Sequence, residues 1–210
     1  TAHQMLERLG RVAAHGQCAA VGKLLQRHLF DRPSAQRPRP GHTQLGTPRQ
    51  RAVLRADSGG RGQGRRGHGP AAAAGVADKA TFVQGDMFQA DISKASVLAL
   101  FLLPNNMFDL REKFLSLRPG TRIVANTFGV EGWEPDERAT LTNCTQWCTA
   151  LLWLVPARVG GDWQTMQGLL VLDQEYQIVT GALAGRPVAD GRLRGDEIRF
   201  AVGDAQYVGR

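Results

Sequence analysis

Seven consecutive apolar residues, at positions 97–103, constrain the fold of this chain more than any other feature. The run reads VLALFLL and is stopped by Pro104. A short apolar run closed by a chain breaker is typical of a strand that is buried on both faces of a parallel sheet. The run therefore predicts an α/β architecture around it.

The flanking segments fit the same architecture. Before the run, ATFVQGDMF predicts a short strand that ends at Gly85 and Asp86. After it, four apolar residues recur at helical spacing within residues 106–117, namely Met107, Leu110, Phe114 and Leu117. A Pro-Gly turn then leads into a further apolar strand over residues 122–126. The predicted order is strand, strand, helix, turn, strand.

The last part of the chain has a different pattern. Residues 160–210 contain short β-like runs, in which polar and apolar residues alternate over 177–180 and 197–202. Turn signals such as Ala-Asp-Gly and Gly-Asp separate the runs. This pattern predicts an antiparallel meander of four or five strands.

The charge is distributed very unevenly along the chain. Residues 1–75 hold 13 Lys and Arg against 3 Asp and Glu, whereas residues 76–210 hold 13 against 16. All five histidines also lie in the first part. Residues 1–12 have the spacing of a short amphipathic helix. Residues 13–70 are rich in Arg, Gly and Pro, and this composition predicts a poorly ordered segment.

Arg/Gly-rich tracts can bind RNA through phosphate contacts and guanidinium stacking. Here no aromatic residue stands between Phe30 and Phe82, so the segment lacks aromatic platforms for base stacking. Any binding would be electrostatic and sensitive to salt. RNA association is therefore the weaker functional alternative, and nucleic acid is not an expected partner.

Four features of residues 71–158 arrive in an order that resembles a class I S-adenosylmethionine-dependent methyltransferase. They are the strand ending in Gly85-Asp86, the strand ending in LLP, the LRPGT turn over residues 117–121, and the aromatic run that begins WCTALLW. More loosely, the segment resembles the group of protein lysine methyltransferases that act on ATP synthase subunits. The resemblance implies a partial Rossmann-like methyltransferase sheet, and residues 160–210 then form a small lipocalin-like antiparallel β meander.

The resemblance implies a cofactor, S-adenosylmethionine, at the carboxyl ends of the parallel strands. Asp86 would accept a hydrogen bond from the adenine amino group, with Gly85 and Met87 beside it. The methyl donor would lie near a second set of residues: Phe101, Leu102, Leu103 and Pro104. From its residue type alone, Asp86 could equally cap the turn that follows it. The methyl acceptor is not specified, and a protein lysine is one candidate.

One diagnostic element of the family is missing. The glycine-rich turn after the first strand, Asp-x-Gly-x-Gly-x-Gly, has its nearest match in residues 57–62, where Arg61 replaces a glycine. This departure predicts impaired cofactor binding, and it leaves a non-catalytic remnant or binding protein as an alternative. A shifted reading frame across residues 13–70 of a GC-rich gene would account for both the composition and the missing turn.

Other functional classes are disfavoured. No stretch of about 18 apolar residues exists, so no transmembrane helix is predicted. Three cysteines are too few for a disulfide scaffold and favour a reducing, cytoplasmic compartment. Because no histidine follows His68, Cys144 and Cys148 do not predict a zinc site. Four tryptophans are candidates for a core or, less commonly, for a substrate pocket: Trp133, Trp147, Trp153 and Trp163.

Overall fold

The structure, a computed structural model, describes residues 52–55, 72–73, 75, 77–83 and 85–210. The helix predicted over residues 1–12 and most of the basic segment 13–70 lie outside these described residues. The chain divides into two compact units. The first unit comprises Thr1–Asp91 with Leu141–Cys148, and the second comprises Ile92–Thr140 with Thr149–Arg210.

In the first unit, two short strands pair in parallel. Strand β1 (Ala52–Arg55) aligns with β2 (Ala80–Val83), and a 3-10 turn at Ala77–Lys79 leads into β2. Strand β2 was predicted from its apolar residues, but β1 was not, because it lies inside the basic segment. Backbone pairing with a neighbouring strand satisfies the peptide groups of β1, and composition does not reveal such pairing.

The first unit also contains a disulfide bond between Cys144 and Cys148, whose Cα atoms are 5.6 Å apart. The backbone N–H of Leu141 donates to the carbonyl of Cys148, at 3.0 Å, and closes the loop that carries the bond. The small number of cysteines did not predict this pairing. The cytoplasmic location stays a prediction.

A mixed four-stranded sheet begins the second unit. Its strands are β3 (Val97–Leu100), β4 (Arg122–Asn126), β5 (Glu137–Thr140) and β6 (Thr149–Leu154), in the order β3-β4-β6-β5. Strands β3 and β4 are parallel, as predicted, whereas β6 runs antiparallel to both β4 and β5. Strand β3 is at the edge of this sheet and only half buried, so the prediction of burial on both faces was wrong.

Two short helices connect β3 to β4. The single helix predicted over residues 106–117 is instead α1 (Pro104–Asp109) and α2 (Arg111–Leu115), separated at Leu110. Pro104 begins α1, a position where its missing N–H costs nothing. The four predicted core positions are all buried: Met107, Leu110, Phe114 and Leu117. No helix in the described part of the chain is long and apolar enough to cross a membrane.

The second unit ends in a curled antiparallel sheet of seven strands, in the order β13-β12-β11-β9-β8-β7, with β10 pairing to β9. The strands are β7 (Gly161–Thr165), β8 (Gly168–Glu175), β9 (Ile178–Leu183), β10 (Arg186–Pro187), β11 (Ala189–Arg194), β12 (Glu197–Val202) and β13 (Ala205–Gly209). The predicted antiparallel arrangement is confirmed, although there are more strands than predicted. A two-residue strand such as β10 is too short to show alternation in the sequence.

The curled sheet has an apolar core of its own. Alternate residues point to one face of each strand, so a period of two in the sequence becomes a continuous apolar surface. The buried residues of this core are Leu170, Leu172, Val179, Leu183, Leu193, Phe200 and Val202.

At one end of this sheet, Glu197 accepts hydrogen bonds from Arg199, at 2.8 Å, and from Arg210, at 3.2 Å. The bond from Arg199 is the main cause that lowers the pKa of Glu197 below its ordinary value of 4.5. A carboxyl with a lowered pKa stabilises the fold above its unfolded-state pKa, and this contribution is lost as the pH falls through the folded-state value.

We therefore expect Glu197→Gln to lower the melting temperature by a few degrees at pH 7 and by less at pH 3. Because Glu197 is at the surface, the shift at pH 7 will be small. Thermal unfolding at both pH values is the measurement, with Glu175→Gln on β8 as the control. An equal loss at both pH values would contradict this role of the ion pairs.

Candidate active site

A cavity of about 470 Å³ is lined by residues that follow the two parallel strands β3 and β4. Its walls are Pro104, Asn105, Phe108, Asp109, Gly129, Val130 and Glu131. Carboxyl ends of parallel strands share one edge of a sheet, and ligands of open α/β proteins bind there. The volume is in the range of small-molecule sites.

Helix α1 forms the first wall. One face of the helix carries Asn105 together with Phe108 and Asp109, which follow it by three and four residues. Pro104 begins the helix. Met107 is on the other face, where it is buried and anchors the helix. This division presents a half-exposed aromatic ring, an amide and a carboxylate to the cavity.

The loop after β4 forms the second wall, and its backbone is unusual. Thr127 has φ 65°, and the N–H of Phe128 donates to the carbonyl of Asn126 at 2.7 Å. A β-branched residue is rarely found in this left-handed region. Such strain costs on the order of 1–3 kcal/mol and is concentrated at functional sites. The kinked backbone directs residues 129–131 along the cavity.

Arg111 connects the two walls. Its guanidinium carbon lies 4.8 Å from the centroid of the Phe108 ring, which is a cation–π distance. Its Nη1 atom donates to the carbonyl of Glu131 at 3.4 Å, and Nε lies 3.5 Å from a carboxylate oxygen of Glu112. The positive charge of Arg111 therefore holds helix α1 and the loop at a defined separation.

The lining of the cavity combines apolar side chains with an amide and two acidic groups. Phe108, Val130 and Pro104 supply apolar surface, and Asp109 and Glu131 supply two exposed carboxylates. This combination suits a long aliphatic group that ends in a positive charge. Among the described residues, no group of three or more His, Cys, Asp or Glu could hold a metal ion.

The residues predicted to bind the cofactor fall in both units. Phe101, Leu102, Leu103 and Pro104 are in the second unit, where Pro104 lines the cavity and Phe101 and Leu103 are 52% and 65% exposed. Exposure of these two side chains differs from the buried strand end that the apolar run predicted, because β3 ends at Leu100.

Gly85, Asp86 and Met87 are in the first unit. The Oδ1 atom of Asp86 accepts a hydrogen bond from the backbone N–H of Phe88 at 2.8 Å. The structure thus contains the turn-capping interaction that was the alternative for this residue. A role of Asp86 in cofactor binding stays a prediction, as does the meeting of the two sets of residues in one site.

The sequence did not predict most of the cavity. Phe108, Asp109 and Arg111 fell within the predicted helix over residues 106–117 without a role in a site, and no role was predicted for Asn105 or residues 129–131. One signal could have found them, namely that the segments directly after two parallel strands meet at the same sheet edge.

A comparison with protein families identifies this region. Residues 67–137 match the model of the ANTKMT methyltransferase domain. The matched residues include β2, β3, both helices, β4 and all residues that line the cavity. The chain therefore contains a methyltransferase segment, as its resemblance predicted.

Two individual proteins are similar to parts of the chain. The chain is 44% identical over 64 residues to a protein-lysine N-methyltransferase of Saccharolobus islandicus. This match covers 30% of the chain and 40% of the relative. The crystal structure of an RNA methyltransferase from Salinibacter ruber in complex with S-adenosyl-L-homocysteine is 35% identical, with a TM-score of 0.46. The alignment covers 52% of this chain and 68% of that one.

Proposed function

We propose that the protein transfers a methyl group from S-adenosylmethionine to a lysine side chain of an acceptor protein. The main observation in support is that the methyltransferase segment, residues 67–137, includes all residues that line the cavity after β3 and β4. The name of the curated relative, a protein-lysine N-methyltransferase, supports the acceptor class.

A partial Rossmann-like sheet is part of this proposal. Strand β3, helices α1 and α2, and strand β4 form a strand–helix–strand crossover between parallel neighbours. This unit is the building block of doubly wound α/β folds. It supports a cofactor at the carboxyl ends of the strands, beside the cavity that would receive the acceptor.

For the cofactor, Asp86 and Met87 would hold the adenine, and residues 101–104 would lie toward the methyl donor. The exposed Asp86 carboxylate is chemically suited to accept a hydrogen bond from an amino group. When bound, S-adenosylmethionine supplies an electrophilic methyl group on a sulfonium. The departure at Arg61 from the glycine-rich turn predicts weak binding.

The acceptor cavity would act mainly by positioning. Phe108 and Val130 would enclose the aliphatic part of a lysine, while Asp109 and Glu131 would attract its charged amine. The amine must lose a proton to water before its lone pair attacks carbon. The new N–C bond would form as the C–S bond breaks with its electrons on sulfur.

Calorimetric titration with S-adenosylhomocysteine tests the cofactor side. We expect detectable but weak binding by the full chain and a further loss of roughly tenfold or more in Asp86→Ala, because a hydrogen bond to a charged group is removed. Asp78→Ala, a nearby exposed aspartate in the same unit, is the matched control and should bind normally.

Either of two results would reject the proposal. A folded chain that does not bind S-adenosylhomocysteine would instead support the non-catalytic alternative. A chain that binds the cofactor but does not methylate lysine-containing peptides would exclude the lysine acceptor. Peptides with acetylated lysine are the negative control in that transfer assay.

A further inference from the structure

Trp133 determines where the second wall of the cavity runs. It follows Glu131 by two residues, and its side chain is buried. Its backbone N–H donates to the carbonyl of Val130 at 3.1 Å. This bond closes a tight turn through Gly132, whose φ of 77° favours glycine. From the mixed sheet, the indole N–H of Trp153 donates to the carbonyl of Trp133 at 2.9 Å.

The curled sheet holds Trp133 from the other side through Gln177. This side chain belongs to the turn between β8 and β9 and is only 2% exposed. Its Oε1 atom accepts a hydrogen bond from the indole N–H of Trp133 at 2.8 Å, and its Nε2 atom donates to the carbonyl of Glu134 at 2.6 Å. Both polar atoms of the buried Gln177 amide are therefore hydrogen-bonded to the loop that continues the cavity wall.

Tyr176, the preceding residue, adopts a costly backbone conformation to reach the same loop. Its φ of 51° is in the left-handed region, where glycine is favoured. Its ring stacks on Trp133, with the centroids 5.6 Å apart and the planes 10° from parallel. A glycine would relieve the backbone but would leave Trp133 without this contact. Strained residues of this kind persist where their surroundings over-determine them.

The far end of the loop is also attached to the curled sheet. The carboxylate of Asp136 is almost completely buried and accepts a hydrogen bond from the N–H of Leu154 at 2.8 Å. Its other oxygen lies 3.0 Å from a guanidinium nitrogen of Arg192, on β11. The loop is thus fixed to the curled sheet at two points, Trp133 and Asp136.

We propose that the curled sheet positions one wall of the acceptor site, and that Gln177 and Tyr176 are the positioning residues. We define the Trp133 clasp as Trp133, Trp153, Tyr176 and Gln177. The clasp holds residues 129–131 at a set distance from helix α1, so it determines the width of the cavity. This inference rests on the proposed function, since it assigns the sheet a role in acceptor binding.

The test compares three variants of the full chain. Gln177→Leu removes both hydrogen bonds to the loop, and Gln177→Glu keeps an acceptor for Trp133 but cannot donate to Glu134. The control is Thr165→Val, because Thr165 also makes two side-chain hydrogen bonds, donating to the carbonyl of Gly168 and accepting from the N–H of Gln167 in the hairpin of β7 and β8. Both side chains therefore stabilise the curled sheet, but of the two it is Gln177 that is hydrogen-bonded to the cavity loop.

Two measurements separate a positioning role from a purely structural one. Amide hydrogen exchange over residues 129–136 reports the order of the wall, and titration with a short peptide containing one lysine reports the cavity. We expect Gln177→Leu to exchange roughly tenfold faster in this loop than the control and to bind the peptide roughly tenfold more weakly. The loop exchange rate and the peptide affinity of Gln177→Glu should lie between those of Gln177→Leu and the wild-type chain.

Titration with S-adenosylhomocysteine distinguishes the failure of this inference from failure of the proposed function. No detectable cofactor binding in any variant, with faster loop exchange only in the Gln177 variants, would reject the proposed function and retain the clasp. Equal loop exchange and equal peptide binding in Gln177→Leu and Thr165→Val would overturn the inference. If Gln177→Leu does not fold, the same comparison is made between Gln177→Glu and the control.

Discussion

Gly191→Ala is expected to destabilise the protein by about 3–5 kcal/mol, because strands β9 and β11 could no longer pair. Gly191 is opposite Val179 in this antiparallel pair. A Cβ atom at position 191 would collide with the backbone carbonyl group of Val179. The flexible end of a side chain could move away from such a contact, but the backbone of a central strand cannot.

Gly185→Ala is the matched control for this prediction. Gly185 has φ 77°, and a Cβ atom there would meet nothing within 4 Å. Its replacement should cost only about 1–2 kcal/mol, the penalty for a left-handed backbone with a side chain. Denaturant unfolding of both variants is the measurement. Equal free energies of unfolding would show that the approach of β9 and β11 is not tight.

Trp153→Ala should have a comparably large effect, a loss of about 3–5 kcal/mol in the free energy of unfolding. Trp153 is 0% exposed on β6, where it pairs with Ile123 of β4. The substitution would leave a large cavity in the mixed sheet. It would also remove the hydrogen bond to the carbonyl of Trp133, so the Trp133 clasp should loosen as well.

Trp163→Ala provides the comparison for the same change of side chain. Trp163 on β7 is 49% exposed, and its indole N–H donates to the carbonyl of Val159. Its truncation should cost less than about 2 kcal/mol. Scanning calorimetry is preferred, because both changes alter the tryptophan fluorescence. A loss in Trp153→Ala no greater than in Trp163→Ala would contradict the role of Trp153 in the core.

Periodicity predicted the local elements well where the chain is strongly patterned. The four apolar residues from Met107 to Leu117 are buried as their spacing indicates, although the helix is interrupted at Leu110. The parallel β3–β4 pair and the antiparallel final sheet were likewise predicted. The methyltransferase class followed from the order of these elements and their connecting motifs, which the match over residues 67–137 supports.

The limits of prediction lie at strand ends and in loops. The apolar run at residues 97–103 does not reveal that the strand stops at Leu100, because side chains beyond the strand are equally apolar. The cavity depends on where two separate segments after β3 and β4 meet. Conformations such as φ 65° at Thr127 arise from tertiary constraints, and no local propensity predicts them.

The sequence by itself determined the strongly patterned strands, the buried positions of the helical segment and the class of protein that the segment resembles, since these depend on local spacing and on motif order. Only the tertiary structure decided that the curled sheet reaches the cavity wall. Gln177 and Trp133 are 44 residues apart, and nothing in either neighbourhood indicates their hydrogen bond. A buried amide selects its partners by three-dimensional proximity, and this proximity exists only after both sheets have packed.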